Sequence, residues 1–77
     1  MITIDMVKEV WSNYEKFTET AEQHDFPLLL TVQIKFQPLY KDLLENWDED
    51  HALIFMKWMQ EIAKHFGFKC PEFTKGE

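Results

Sequence analysis

Residues 27–47, PLLLTVQIKFQPLYKDLLENW, constrain the fold of this 77-residue chain more than any other segment. The first half alternates like a half-buried strand, with Leu30, Val32 and Ile34 separated by polar residues. The second half has the spacing of an amphipathic helix, and Pro38 lies between the two halves. The segment is therefore either a strand followed by a helix or one helix that contains a proline, and the choice decides the fold class.

The phase of the apolar residues favours a single bent helix over residues 26–47. At 100° per residue the apolar face continues across Pro38, while the proline falls on the opposite side, where solvent is expected. A proline on the convex, solvent-facing side kinks a helix without ending it. The apolar face consists of Leu29, Val32, Phe36, Leu39, Tyr40, Leu43 and Trp47. In the alternative, an α+β fold with a short strand at 28–36, only the N-terminal MITI could pair with that strand, and an isolated pair is marginal.

A first helix is predicted over residues 3–23. Thr3 is a suitable N-cap, and the helix must end before Pro27 because the residue preceding a proline is pushed out of helical geometry. Asp25 can then cap the second helix, with Pro27 in its first turn. The apolar stripe of the first helix consists of Val7, Val10, Trp11, Tyr14, Phe17 and Ala21.

A third helix is predicted over residues 49–66. Asp48 or Asp50 can cap its start, and Gly67 suits the position just beyond its end. The remaining tail, residues 67–77, is expected to lay Phe68, and in one reading Phe73, against the helices. The inward stripe of the third helix consists of Ala52, Phe55, Met56, Met59, Ile62, Ala63 and Phe66.

These segments predict an all-α fold, a small three-helix bundle formed by a single domain over residues 1–77. A chain this short buries only about 60% of its unfolded surface, so it needs a densely apolar core. Hydrophobic residues make up 45% of the chain and aromatic residues 16%, which supplies that density.

The third helix is more apolar than such a core requires. Ile54 and Trp58 widen its apolar arc to roughly 200°, against the usual 100° or somewhat more. Leu30 and Ile34, one turn apart, lie outside the main stripe of the second helix. We predict that Ile54 and Trp58, together with Leu30 and Ile34, bind a partner protein or a second copy in a homodimer. The alternative is that Trp58 is a half-exposed edge residue of a central helix.

The charge pattern disfavours direct binding to nucleic acid. The formal net charge is −6 and the chain contains no arginine, whereas nucleic-acid-binding proteins carry a basic stripe rich in arginine. An acidic surface instead steers a protein toward a basic partner, which could itself be a nucleic-acid-binding protein.

A run of acids surrounds the predicted start of the third helix. It could hold a hard cation or mimic phosphate. The stronger interpretation is helix capping, because carboxylates accept hydrogen bonds from the first N–H groups and meet the positive end of the helix dipole. This acidic patch consists of Asp42, Glu45, Asp48, Glu49 and Asp50.

The sequence predicts neither an enzyme, a cofactor nor a metal site. Glu61 and His65 share a helical face near Cys70, but a zinc site needs three or four ligands at recognisable spacing. Ser12, the only serine, lies in an amphipathic helix, and glycine is absent before position 67, which excludes a glycine-rich phosphate loop there. The stripe of Trp11 and its neighbours is interpreted as core rather than as a base-stacking surface.

The single cysteine, the lack of a leader-like segment and the lack of an apolar run of about 20 residues predict a cytoplasmic protein with no membrane contact. Lysine as the only strong base, with abundant phenylalanine, hints at an AT-rich bacterial or phage genome. We predict a small acidic interaction protein that acts as an adaptor, regulator or inhibitor of another protein. The alternatives are a self-associating structural subunit and a protein that binds a small ligand or a metal.

Overall fold

A computed structural model describes residues 2–73 of the chain. It contains three α-helices, α1 (Ile4–Thr20), α2 (Phe26–Glu45) and α3 (Glu49–Phe66), with a 3-10 turn at Gln23–Asp25 before α2. Each helix contacts the other two, so the protein is a three-helix bundle, as predicted. Within the described residues there is no strand, and the α+β alternative is wrong.

Helix α2 continues through Pro38, as its hydrophobic phase predicted. Leu29, Val32 and Leu43 are buried on one side, whereas Pro38 is exposed. Proline has no N–H, so the carbonyl of Ile34 loses its usual helical donor. Both residues are exposed, so water can take the place of that donor and the helix persists.

The ends of α1 and α2 lie earlier than the sequence predicted. Helix α1 ends at Thr20 rather than at residue 23, because Ala21 is extended, with ψ at 149°. Helix α2 ends at Glu45, since Asn46 leaves helical geometry, with φ at −135° and ψ at 84°. Three residues, 46–48, then provide the turn into α3. Short turns require extended residues that apolar periodicity does not reveal.

The start of α1 and the end of α3 are capped locally, whereas the start of α2 has no side-chain cap. The Met6 N–H donates to Thr3 Oγ1 over 3.3 Å, which confirms the predicted cap of α1. Asp25 precedes α2, but its side chain makes no capping hydrogen bond, so that predicted cap is wrong. Its Oδ1 instead lies 3.5 Å from His24 Nε2. Gly67 ends α3 with φ at 90°, a conformation that glycine adopts without steric cost.

The core is built around a cluster of aromatic rings centred on Trp11. Its indole is 4.9 Å from the Tyr14 ring, 5.1 Å from Tyr40 and 6.1 Å from Phe55, measured between ring centroids. These four rings come from all three helices, so the cluster holds the bundle together. The buried core consists of Val7, Val10, Trp11, Tyr14, Leu29, Val32, Leu43, Ala52, Phe55, Met56, Met59 and Ala63.

The tail after α3 returns to the first helix. Phe68 and Phe73 are partly buried against the core, as the sequence analysis expected. The Asn13 side-chain amide donates to the Lys69 carbonyl over 3.0 Å, and the Phe68 ring lies 5.8 Å from that of Phe17. The last part of the predicted tail, residues 74–77, lies outside the described residues.

Candidate functional site

Large apolar side chains are exposed on two of the three helices and on the turn between them. They belong to α2, to the turn that follows it and to α3, while no such side chain is exposed on α1. Isolated exposed apolar residues are ordinary, but a group of them on adjacent elements marks a candidate interaction surface. The group consists of Phe26, Leu28, Leu30, Ile34, Leu44, Trp47, Ile54 and Trp58.

All four residues predicted to bind a partner are in this group. Leu30 is 57% exposed, Ile34 65%, Ile54 48% and Trp58 57%. Two of the four border different grooves. Leu30 borders a groove between α1 and α2, whereas Trp58 borders a groove between α2 and α3. Apolar grooves therefore lie on both flanks of helix α2.

The α2–α3 groove is the smaller of the two grooves, with a volume of about 280 Å³. Trp58 packs beside it, with its ring centroid 6.3 Å from that of Phe36. Lys35 is the charged residue of its lining. The full lining is Leu28, Thr31, Val32, Lys35, Phe36, Trp58 and Ile62.

The α1–α2 groove is the larger of the two grooves, with a volume of about 780 Å³. Its apolar wall is formed by the start of α2, and none of the described residues that line it is charged. This groove was not predicted from the sequence. The available signal is the run from Phe26 to Leu30, which contains more apolar residues than one face of a helix can bury. The full lining is Tyr14, Thr18, Gln23, Phe26, Pro27, Leu29, Leu30 and Gln33.

Tyr14 joins this groove to the core. Its hydroxyl donates to the Leu29 carbonyl over 2.6 Å and thereby ties α1 to α2. Burial raises the pKa of the Tyr14 phenol above its ordinary value, and the neighbouring Glu15 carboxylate raises it further. The phenol is therefore a neutral donor that is already used inside the molecule.

Acidic residues lie beside the α1–α2 groove. A cleft of about 150 Å³ shares Tyr14, Thr18 and Gln33 with it and adds Glu15 and Glu19 of α1. Both carboxylates are exposed. The apolar groove consequently has an acidic border on its α1 side.

The acidic patch around the start of α3 divides by role. Asp48 Oδ1 accepts hydrogen bonds from the N–H groups of Asp50 and His51, over 2.9 and 3.2 Å. Its other carboxylate oxygen lies 3.3 Å from His51 Nδ1. Glu49 and Asp50 occupy the first turn of α3, and the two earlier acids, Asp42 and Glu45, are exposed on α2. The position of Asp48 is that of a helix cap.

Replacing Asp48 with alanine is expected to lower the free energy of unfolding by about 1 kcal/mol, because two N–H groups at the start of α3 lose their acceptor. Asp42→Ala removes a carboxylate that caps no helix end and is expected to cost less than about 0.5 kcal/mol. Urea denaturation of both variants measures the difference. An equal loss of stability in the two would contradict the capping role.

The remaining candidate residues for metal or thiol chemistry do not converge. The His65 ring packs edge-on against Phe66, with 4.9 Å between centroids, and Glu61 is exposed. Cys70 is half-buried, and burial, with a contribution from Glu9, raises the pKa of its thiol, so less of the reactive thiolate forms. No three His, Cys, Asp or Glu side chains within residues 2–73 are grouped so that they could hold a metal ion.

Comparison of the chain with protein-family models, with curated proteins and with solved structures finds no match in any of the three. In the part of the chain that the structure describes, no helix combines the length and the apolar character needed to cross a membrane. Interpretation of the surface therefore depends on the geometry of the two flanks of α2.

Proposed function

We propose that this protein is a small, acidic, non-enzymatic interaction module that binds another protein through the exposed apolar side chains of α2 and α3. As an adaptor, regulator or inhibitor it would need no catalytic group of its own. The observation that carries the proposal is the exposure of Leu30, Ile34, Ile54 and Trp58 on adjacent helices of one bundle. Burying apolar surface contributes roughly 25 cal/mol per Å², and tryptophan is prominent among residues that dominate binding energies.

The charge of the chain supports a basic partner. At a net charge of −6, long-range attraction speeds encounter with a positively charged surface and slows encounter with an acidic one. The nucleic-acid-binding site of such a partner is one surface that an acidic protein can occupy. The cytoplasmic location expected from the single cysteine is part of this proposal.

A second copy of the chain is the alternative partner. Ile54 and Trp58 are one helical turn apart and both exposed, so α3 offers a narrow apolar strip that a two-fold axis can double. In that case the protein is a self-associating structural subunit. A bound small ligand is a further alternative, because the α1–α2 groove, at about 780 Å³, has the size of known ligand sites.

Trp58→Glu is the variant that tests the proposal, and Ser12→Glu is its matched control. Both add one negative charge at an exposed helical position, but Ser12 lies on α1, which carries no exposed large apolar side chain among the described residues. The measurements are mass by light scattering and quantitative capture of proteins from a lysate of the source cells. We expect the wild type to capture a foreign protein in stoichiometric amount, the Ser12 variant to keep it and the Trp58 variant to lose it.

Other outcomes decide against this function. A wild-type mass of twice the 9.3 kDa chain that falls to one chain in the Trp58 variant identifies a homodimer instead. A partner retained equally by all three proteins shows that the α3 surface does not bind it. A ligand that raises the melting temperature, with no protein captured, identifies a small-ligand protein.

A further inference from the structure

We infer that the groove between α1 and α2 receives a basic amphipathic helix of the same partner protein that covers Ile54 and Trp58, a step that rests on the proposed function and names its partner's chemistry. The groove runs beside about two turns at the start of α2, from Phe26 to Gln33, which is on the order of 10 Å of helix. Phe26 and Leu30 line it and are about half exposed, so their apolar surface is left in water.

The walls of the groove select a helix over an extended peptide. Both walls are α-helices, whose backbone N–H and C=O groups are paired within each helix. A strand bound there would find no sheet edge to pair with, and its own backbone groups would lose water without gaining partners. An α-helix pairs its backbone internally and can present side chains at i, i+3, i+4 and i+7 to the groove.

The charges around the groove select a basic helix. Glu15 and Glu19 border it on the α1 side. Among residues 2–73, no basic side chain lines the groove or the adjoining cleft. Lysine or arginine residues beside the apolar face of the incoming helix would therefore meet carboxylates, whereas acidic residues would be repelled.

The same charges disfavour the other occupants. A second copy would bring another chain with 14 acidic and 8 basic residues, and a two-fold contact through this groove would place both sets of Glu15 and Glu19 at one interface. A fatty acid would bring its carboxylate toward the acidic border. The Tyr14 hydroxyl is also not free to donate a hydrogen bond to that carboxylate, because it already donates to the Leu29 carbonyl.

The experiment uses two labelled 18-residue peptides of identical helical pattern, one of leucine and lysine and one of leucine and glutamate. Fluorescence anisotropy measures affinity for the full chain, and NMR chemical-shift changes locate the bound peptide. We expect the lysine peptide to bind at least about tenfold more tightly than the glutamate peptide, with shifts concentrated at Thr18, Leu30 and Gln33.

Charge-matched double variants separate the border from general electrostatics. Glu15→Gln with Glu19→Gln is expected to weaken binding of the lysine peptide about fivefold, as expected for two exposed ion pairs. Glu9→Gln with Glu61→Gln changes net charge equally at exposed sites that line neither the groove nor the adjoining cleft, and is expected to weaken it less than about twofold. All four carboxylates are exposed, so circular dichroism should confirm that both variants fold.

Equal affinity for both peptides, equal effects of the two double variants, or no binding of either peptide would overturn the inference. Shifts confined to the side of Trp58 would overturn it while leaving the proposed function in place. Saturation of the groove by decanoate without binding of the peptide would identify a small ligand as the occupant. A wild-type dimer that Leu30→Glu dissociates would identify a second copy.

Discussion

Trp11→Ala is expected to lower the free energy of unfolding by about 3–5 kcal/mol, the largest effect of any single substitution proposed for this protein. The indole is only 4% exposed and lies within about 6 Å of three other rings, contributed by all three helices. Its removal leaves a cavity where side chains of all three helices meet, and a closely packed interior collapses only partly around such a cavity. Urea denaturation followed by circular dichroism measures the loss.

Trp58→Ala is the matched control, since it deletes the same side chain at a position that is 57% exposed. It is expected to cost less than about 1 kcal/mol. A domain of 77 residues is stabilised by only about 4–12 kcal/mol, so Trp11→Ala can unfold the chain outright. Trp11→Phe keeps most of the volume and is expected to give a folded protein with a smaller loss. Similar losses for the Trp11 and Trp58 alanine variants would contradict this account of the core.

Tyr14→Phe is expected to lower the free energy of unfolding by about 1–2 kcal/mol at neutral pH. The substitution keeps the ring and its contacts but removes the 2.6 Å hydrogen bond from the hydroxyl to the Leu29 carbonyl. A buried hydrogen bond contributes about 1 kcal/mol net, and the carbonyl left behind loses one of its two acceptor interactions. The loss is measured by urea denaturation at pH 7.

The difference in stability between wild type and Tyr14→Phe is also expected to depend on pH. The pKa of Tyr14 is raised in the folded protein, so the stability that its protonated phenol contributes is fully present below the unfolded pKa of about 10. That contribution is lost as the pH rises through the folded pKa. The difference in stability between wild type and Tyr14→Phe should therefore shrink above about pH 10.

Tyr40 provides the control for the pH experiment. Burial also raises its pKa, with Glu15 contributing, so wild type and Tyr14→Phe share whatever Tyr40 adds to the alkaline loss of stability. Comparing the two proteins removes that shared part. A difference that stays constant from pH 7 to pH 12 would contradict the raised pKa of Tyr14 as the cause.

The helices follow from the sequence because their signals are local. Each of α1 and α3 has a stripe of apolar residues, and α1 follows a threonine while α3 lies between an aspartate and a glycine, so both can be predicted without knowledge of what they touch. Even the proline within α2 is readable, because Pro38 is out of phase with the buried residues Leu29 and Val32. Helix ends at turns are less readable, and α1 and α2 each stop two or more residues before the predicted bound.

The exposed apolar surface can be predicted from the sequence only in part. The excess of apolar residues predicted that Ile54, Trp58, Leu30 and Ile34 would not all find places in a core of this size, and all four are exposed. Whether the four side chains form one patch depends on how the helices are arranged around α2, which periodicity along the chain does not show. That arrangement depends on side-chain packing between distant residues, such as the 6.3 Å approach of Trp58 to Phe36.

What the sequence determined by itself is which residues form helices and how much apolar surface the three helices carry, because both follow from periodicity along a single chain. What only the tertiary structure decided is where the apolar grooves lie: on two flanks of α2, with the larger groove bordered by Glu15 and Glu19. The physical reason is that a groove belongs to two helices at once, and its shape and charge depend on the rotation and separation at which they pack.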